Sequence, residues 1–147
     1  MWRVSSEKGY LRIKGDEVYA VVDPTSVPED AIDLDFVILT KRPKNKRVVE
    51  EILESSKAAL VGSPKSVRPY SSEHYVDEVK GVRGLATGLW VANVKGGIVI
   101  GVGDSDDYII IISNEGQREE AERLGEEIYG RRGRVVKAAN IEYEEVG

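Results

Sequence analysis

A run of cations is the strongest chemical feature of this sequence. Residues 41–47 read KRPKNKR, with five basic side chains and no acid. Lys and Arg donate charged hydrogen bonds that suit the oxygens of phosphates and carboxylates. The run follows an apolar segment at residues 36–40, and a second apolar segment at 58–61 leads into a Gly-Ser-Pro-Lys turn. In open α/β sheets, ligands bind outside the carboxyl ends of the strands, so the ends of these two segments are expected to converge.

We therefore predict an anion-binding corner at residues 40–47 and 62–65. The expected ligand is a phosphate, a nucleotide or a nucleic acid, and a protein partner is the alternative occupant of the same surface. Backbone amides at the start of a helix would add partial positive charge there. The residues expected to bind are Thr40, Lys41, Arg42, Lys44, Asn45, Lys46, Arg47, Gly62, Ser63 and Lys65.

The simpler interpretation of the basic run is a solvated turn, since most charge runs are solvated. A helix is expected to begin near Pro43, because proline is tolerated in a first helical turn. Cations near a helix N-terminus oppose the helix dipole. That conflict favours a binding role for the run, and the solvated turn remains the alternative.

Three carboxylates form a second candidate site. Asp104, Asp106 and Asp107 lie on a glycine-rich turn that reads GVGDSDD. Such a group can hold Mg²⁺ or Ca²⁺. Against this, no distant Glu completes a calcium loop, and Asp is an ordinary turn residue. The leading prediction therefore has no metal and no cofactor, and a Mg²⁺-dependent nucleic-acid-processing hydrolase at this turn is the alternative function.

The remaining candidates have structural explanations. His74 has an unperturbed pKa near neutrality and is a conceivable general base, but it has no partner at a recognisable spacing. Trp2 and Trp90 fall on strand patterns and are expected to pack the core or cover an edge. The Arg131–Arg134 turn follows a predicted helix, whose C-terminus favours cations. No catalytic residue is predicted, and the protein is expected to be non-catalytic.

Composition excludes several classes of protein. With no cysteine, disulfides, zinc–thiolate sites and thiol catalysis are excluded, and a single histidine excludes any multi-histidine metal site. The net charge is −5, and the run at 41–47 contributes +5, so the other 140 residues carry −10. This is not a general polyanion binder by bulk charge. Charged residues make up 32% of the chain beside a single Met, which is typical of proteins from hot-growing organisms.

No apolar run approaches the roughly 20 residues that span a bilayer, and the first ten residues lack the apolar stretch of a signal peptide. We therefore expect a cytoplasmic protein with no membrane partner. A homodimeric assembly subunit, in which apolar strand edges pair, is a third functional alternative.

The elements that must position these residues form one α/β domain over residues 1–147. Alternating apolar residues predict an antiparallel meander of two or three strands over residues 1–23. Residues 36–40, a helix carrying Val48, Val49, Ile52 and Leu53 on one face, and residues 58–61 form a compact βαβ unit with parallel strands. After Ser71-Ser72-Glu73 we expect a single helical turn with His74, Tyr75 and Val79.

The second half is again antiparallel. Strands are predicted through residues 89–94, 98–102 and 108–112, with a hairpin at Gly96-Gly97. Asn114 is expected to cap a second helix, with Gln117 in the capping-box position and Gly130 as the stop. The predicted buried face of that helix holds Ala121, Leu124, Gly125, Ile128 and Tyr129. A final strand at about 134–139, rejoined through 141–146, completes a mixed sheet.

Residues 9–64 resemble the opening half of the metallo-β-lactamase-like superfamily, especially its small archaeal and bacterial hydrolase branches. Val21-Val22-Asp23-Pro24 is similar to the family's strand ending in Asp-Pro, and residues 36–40 to the strand ending in Thr before the His-x-His-x-Asp-His metal loop. Val102-Gly103-Asp104 is similar to the Gly-Asp after the family's second hairpin. The resemblance implies a shortened two-sheet sandwich.

The metal-loop positions hold Lys41, Pro43, Asn45 and Lys46 instead of zinc ligands. The resemblance therefore implies a metal-free relative. The ammonium groups of Lys41 and Lys46 would then lie where the family holds metal cations, and they would bind an anion there.

Overall fold

Two sheets packed face to face make up the molecule. The computed structural model describes residues 1–62, 75–79 and 81–147. In chain order the strands are β1 (Trp2–Glu7), β2 (Tyr10–Lys14), β3 (Tyr19–Val22), β4 (Phe36–Leu39), β5 (Ala59–Gly62), β6 (Tyr75–Glu78), β7 (Arg83–Ala86), β8 (Leu89–Val94), β9 (Gly97–Gly103), β10 (Tyr108–Ile112), β11 (Arg134–Lys137) and β12 (Tyr143–Val146). The first sheet has the order β12-β1-β2-β3-β4-β5-β6, and the second has the order β11-β10-β9-β8-β7.

The predicted mixed α/β class is confirmed. The strands β1, β2 and β3 form the expected antiparallel meander, and β3, β4 and β5 run parallel to one another. The Gly96-Gly97 turn joins β8 to β9 in a hairpin, with Val94 opposite Gly97. The strands divide between two sheets, as the sandwich implied by the resemblance requires. The final strand, β12, belongs to the first sheet, where it pairs with β1, although the strand before it, β11, belongs to the second.

In the described part of the chain, two helices cover the outer faces of the sandwich. The helix α1 (Lys46–Ser55) buries Val49, Ile52 and Leu53 against the first sheet. The helix α2 (Arg118–Tyr129) buries Ala121 and Gly125 and packs on the second sheet. Short 3-10 turns lie at Ala31–Asp33, Glu115–Gln117 and Ala138–Asn140.

The strand β10 shows why the core has three layers. All five of its residues are buried, because a sheet on one side and a helix on the other leave no solvent face. Ile109 and Ile111 pack between the sheets, whereas Ile110 and Ile112 pack under α2. The continuous apolar run in the sequence therefore reflects burial on both faces.

Both helix starts differ from the prediction. The helix α1 begins at Lys46 rather than near Pro43, because the Asn45 side chain accepts a hydrogen bond from the Arg47 N–H at 3.1 Å and caps the helix there. The helix α2 begins at Arg118, after a 3-10 turn, and Asn114 makes no side-chain cap. Gly130 ends α2 in the left-handed conformation, with φ 74°, as predicted.

Two side-chain placements are also corrected. Ile128 was expected on the buried face of α2, but it is 37% exposed, whereas Ala121 and Gly125 on that face are buried. Tyr75 was expected in a helical turn, but it begins β6, which pairs with β5 in parallel. Ser71, Ser72, Glu73 and His74 lie outside the described residues.

Within the part of the chain that the structure describes, no helix is long and apolar enough to cross a membrane.

Candidate functional site

The carboxyl ends of parallel strands bring the predicted corner to one edge of the sandwich. Because β3, β4 and β5 are parallel, Asp23, Thr40 and Gly62 lie at the same edge of the first sheet. Gly62 is the last residue of β5 and stands opposite Leu39. Ser63 and Lys65, also predicted to bind, lie outside the described residues.

Asp23 anchors Thr40 at this edge. Thr40 donates two hydrogen bonds to the Asp23 carboxylate, one from its N–H to Oδ1 at 2.9 Å and one from its hydroxyl to Oδ2. Asp23 adopts φ 46°, a left-handed conformation that Asp visits more readily than most residues, and its N–H donates to the Ile38 carbonyl at 2.9 Å. The turn after β3 is thereby fixed against the end of β4.

Burial raises the pKa of the Asp23 carboxyl, while the hydrogen bonds from Thr40 and the positive charge of Lys41 act in the opposite direction. The raised pKa means that desolvation of the carboxylate outweighs its hydrogen bonds. Asp23 is therefore a half-buried acceptor with both oxygens engaged rather than a free carboxylate.

A second hydroxyl extends this chain to the end of a strand of the second sheet. Ser113, which follows β10, donates from its hydroxyl to the Thr40 hydroxyl oxygen at 3.1 Å. The Thr40 proton is already committed to Asp23, so the direction of both hydrogen bonds is set by the carboxylate. We call Asp23, Thr40, Ser113 and Gln117 the seam edge, because their hydrogen bonds connect the ends of strands in the two sheets.

Gln117 completes the seam edge in a way that the sequence did not reveal. It occupies the predicted capping-box position, but its Oε1 accepts from the Ser113 N–H at 2.8 Å instead of from the cap residue. The side chain is fully buried, whereas a capping-box Gln is expected at the surface. A lone Gln in a polar segment gives no sequence signal for such burial.

The basic run projects outward from the seam edge. Lys41, Arg42 and Lys44 line a small cavity of about 90 Å³ together with Asp23 and Thr25. Residues 41–47 are called the basic corner below.

Most of the charge of the basic corner is not neutralised within the chain. Arg47 pairs with Glu51 at 3.6 Å in an exposed i,i+4 contact. None of the other four cations, Lys41, Arg42, Lys44 and Lys46, forms an ion pair with any described residue. Asn45 serves as the cap of α1, so its side-chain oxygen is already engaged.

The three aspartates of the second candidate site are used by their own turn. Asp104 Oδ1 accepts from the N–H groups of Asp106 at 2.9 Å and Asp107 at 3.1 Å. Asp107 Oδ2 accepts from the Gly147 N–H at 2.9 Å. Among the described residues, no group of three or more His, Asp or Glu is placed to hold a metal ion. The geometry is that of an ordinary Asx turn.

The two tryptophans have structural contacts. Trp90 is 6% exposed and donates from Nε1 to the Tyr129 hydroxyl at 2.6 Å. Trp2 is half-buried and lies beside Gly15 and Gly88 at the sandwich edge away from Asp23.

The basic turn after α2 is likewise structural. Arg131 donates to the Asp106 carbonyl at 3.0 Å, Arg132 pairs with Glu126 at 3.3 Å, and Arg134 pairs with Glu144 at 3.0 Å. This turn therefore differs from the basic corner, where the cations have no such partners among the described residues.

No family model and no curated protein matches this chain. Solved structures do. One is a metallo-β-lactamase with a HARLDQ motif from Cronobacter sakazakii, at 10% identity and TM-score 0.52, covering 90% of this chain and 73% of that one. Another is an S60 mutant of the HARLDQ-motif metallo-β-lactamase from the same organism, at 11% identity and TM-score 0.50, covering 88% of this chain and 70% of that one. At this identity the likeness establishes the fold alone, which is a distant metallo-β-lactamase-like sandwich.

A zinc ion does not fit the residues at the corresponding loop. Zinc in proteins takes Cys, His or carboxylate ligands. The positions matched to the metal motif hold Lys41, Pro43, Asn45 and Lys46, which supply two ammonium groups, a ring without a donor atom, and an amide already used as a helix cap. Asp23, the carboxylate that lines the adjoining cavity, has both oxygens bonded to Thr40.

Proposed function

We propose that this metallo-β-lactamase-like fold serves as a non-catalytic binding domain that holds a phosphate-bearing ligand at the basic corner. The observation that carries the proposal is the set of four cations, Lys41, Arg42, Lys44 and Lys46, that have no ion-pair partner among the described residues and lie at the carboxyl end of β4. Phosphate groups, whether free, in a nucleotide or in a nucleic acid, suit such a cluster.

The helix α1 supports this interpretation through its unusual first turn. Lys46 and Arg47 occupy that turn and no acidic residue does, although cations there oppose the dipole by about 0.3–1 kcal/mol each. The first turn of α2 follows the ordinary rule, with Glu119 and Glu120. A bound anion would offset the unfavourable charge at α1 and use its free N–H groups.

The charge distribution supports the same conclusion. The basic corner carries +5 on a chain of net charge −5, so the remaining surface carries −10 and repels anions elsewhere. A local positive patch on an acidic body guides an anion to one place. Binding would therefore be site-specific and sensitive to ionic strength.

The seam edge supports a non-catalytic role. The carboxylate that lines the small cavity, Asp23, is occupied by Thr40 on both oxygens, so it is not free to act as a general base or metal ligand. Its hydrogen bonds instead hold the start of the basic corner on a rigid strand end. A rigid platform lowers the entropy cost of binding.

The experiment is a thermal-shift and calorimetric titration of three proteins. Wild type, Lys41→Ala/Lys46→Ala, and the control Lys14→Ala/Lys57→Ala are each titrated with inorganic phosphate, a nucleoside triphosphate, and short single-stranded RNA. The control removes the same charge, but Lys14 faces the start of β3 and Lys57 precedes the start of β5, at the opposite edge of the sheet.

We expect at least one probe to stabilise wild type and the control but not the Lys41→Ala/Lys46→Ala variant. At a ligand concentration about 100 times Kd, the stabilisation is about 2.7 kcal/mol, or about 5–10 °C in Tm. Equal shifts in all three proteins, or no shift with any probe, would overturn the proposal. The choice between phosphate and RNA follows from which probe binds.

A further inference from the structure

Gln117 carries a buried side-chain amide whose oxygen has a hydrogen-bond partner and whose nitrogen has none among the described residues. The side chain is 0% exposed. Its Oε1 accepts from the Ser113 N–H at 2.8 Å, which fixes the orientation of the amide, because a flipped amide would place two donors face to face. Its Nε2 has no hydrogen-bond partner among the described residues. Leaving such a donor unsatisfied costs about 1–3 kcal/mol, and folded proteins rarely do so.

The unpaired Nε2 faces the Gly96-Gly97 turn between β8 and β9. A methyl group built at Gly96 would lie 3.8 Å from Nε2, and one built at Gly97 would lie 3.7 Å from it. The same point at Gly97 is 2.9 Å from the Thr40 carbonyl oxygen. A donor from the turn before α2 and an acceptor from the end of β4 therefore both lie against a turn whose glycines carry no side chain, and the space between these two atoms is the candidate site.

We propose that this space binds one ordered water molecule, which accepts a hydrogen bond from Gln117 Nε2 and donates one to the Thr40 carbonyl oxygen. A metal ion does not suit the space, because Nε2 presents protons rather than a lone pair. An anion does not suit it either, because the Thr40 carbonyl would face it with negative charge. Water both accepts and donates, and buried waters typically bridge polar groups that lack protein partners.

The water molecule would have a definite structural role. Thr40 immediately precedes the basic corner, and Gln117 immediately precedes α2. The bridge would tie the start of α2 to the end of β4 alongside the hydroxyl chain from Ser113 to Asp23. It lies beneath the surface, so it does not depend on whether an anion binds outside.

The first test is a crystal structure of wild type at a resolution that shows ordered waters. We expect a water oxygen within hydrogen-bond distance of both Gln117 Nε2 and the Thr40 carbonyl oxygen. A direct hydrogen bond between those two atoms, or a gap with no water between them, would overturn the proposal.

The second test works in solution, and its first measurement uses wild type alone. In wild type, the Gln117 side-chain amide protons should show cross-relaxation with a long-lived water molecule. Water relaxation dispersion should then count one long-lived molecule fewer in Gln117→Leu than in wild type, and no change in the control Asn140→Leu, whose position is exposed and lies outside this turn. Equal counts in Gln117→Leu and wild type, together with no cross-relaxation in wild type, would contradict the bridge.

Discussion

Replacing Thr40 by Val tests whether the hydroxyl chain at the seam edge stabilises the fold. Thr40 is 9% exposed, and its hydroxyl both donates to Asp23 and accepts from Ser113. Valine has nearly the same shape, so the substitution removes the hydroxyl without leaving a cavity. A hydrogen bond to a charged group contributes about 1.5–3 kcal/mol, and the half-buried Ser113 can recover part of its loss from water.

We therefore expect Thr40→Val to lower the free energy of unfolding by about 2–3 kcal/mol, or about 4–10 °C in Tm. Urea unfolding followed by tryptophan fluorescence and circular dichroism measures this. The matched control is Thr25→Val, which removes an exposed hydroxyl that donates to the Gly9 carbonyl at 3.1 Å. The control should lose about 0.5–1 kcal/mol.

The loss in Thr40→Val should also shrink in acid, because a protonated Asp23 no longer needs a donor to stabilise its charge. If Thr40→Val loses no more stability than Thr25→Val at neutral pH, the hydroxyl chain does not hold the two sheets together, and the reasoning fails.

Three further predictions test separate contacts. Burial places the folded-state pKa of Asp23 above the unfolded one, so the folded wild type retains a proton that the unfolded chain releases. Relative to Asp23→Asn, the free energy of unfolding of wild type should therefore rise as the pH falls from about 7 to about 4. A pH-independent difference between the two proteins in urea titrations would refute this. Asn45→Ala should lower the free energy of unfolding by about 1 kcal/mol, because the α1 cap is lost. The phosphate affinity measured by calorimetry should stay within about threefold of wild type. An unchanged stability would show that the cap contributes nothing. Trp90→Phe and Tyr129→Phe should each lower the free energy of unfolding by about 1–2 kcal/mol. The double variant should lose less than the sum of the two, since both substitutions remove the same 2.6 Å hydrogen bond. Strict additivity in thermal unfolding would argue against a contribution from this hydrogen bond.

Much of the architecture follows from local patterns in the sequence. The alternation in residues 1–23 gave the meander, and the apolar run at 36–40 predicted a buried parallel strand, because such runs arise when both faces are covered. Gly130 ended α2 as expected, since a left-handed residue favours glycine. These features depend on residues close together in the chain.

The division of strands between two sheets does not follow from such patterns. The strand β12 pairs with β1, at the other end of the chain, while β11, only a few residues before it, pairs with β10. Alternation reports which face of a strand is buried and not which sheet it joins. The resemblance to a known sandwich, rather than the periodicity, supplied that part of the prediction.

The seam edge was missed for a related reason. Thr40 was predicted as a ligand-binding residue on the strength of its position, and the structure shows its hydroxyl turned inward to Asp23. Gln117 was predicted as a capping residue from its spacing, and its side chain instead reaches the Ser113 N–H. Both interactions join segments from different sheets, so neither partner can be inferred from spacing along the chain.

This arrangement separates the stability of the fold from the chemistry of its loop. The side chains of Asp23, Thr40 and Ser113 form hydrogen bonds with one another across the seam, whereas the side chains of Lys41 and its basic neighbours are exposed. Substitutions of the side chains in residues 41–47 should therefore leave the hydrogen bonds between Asp23, Thr40 and Ser113 in place. The first turn of α1 holds two cations, Lys46 and Arg47, that oppose its dipole, and the proposed anion at this edge would offset them.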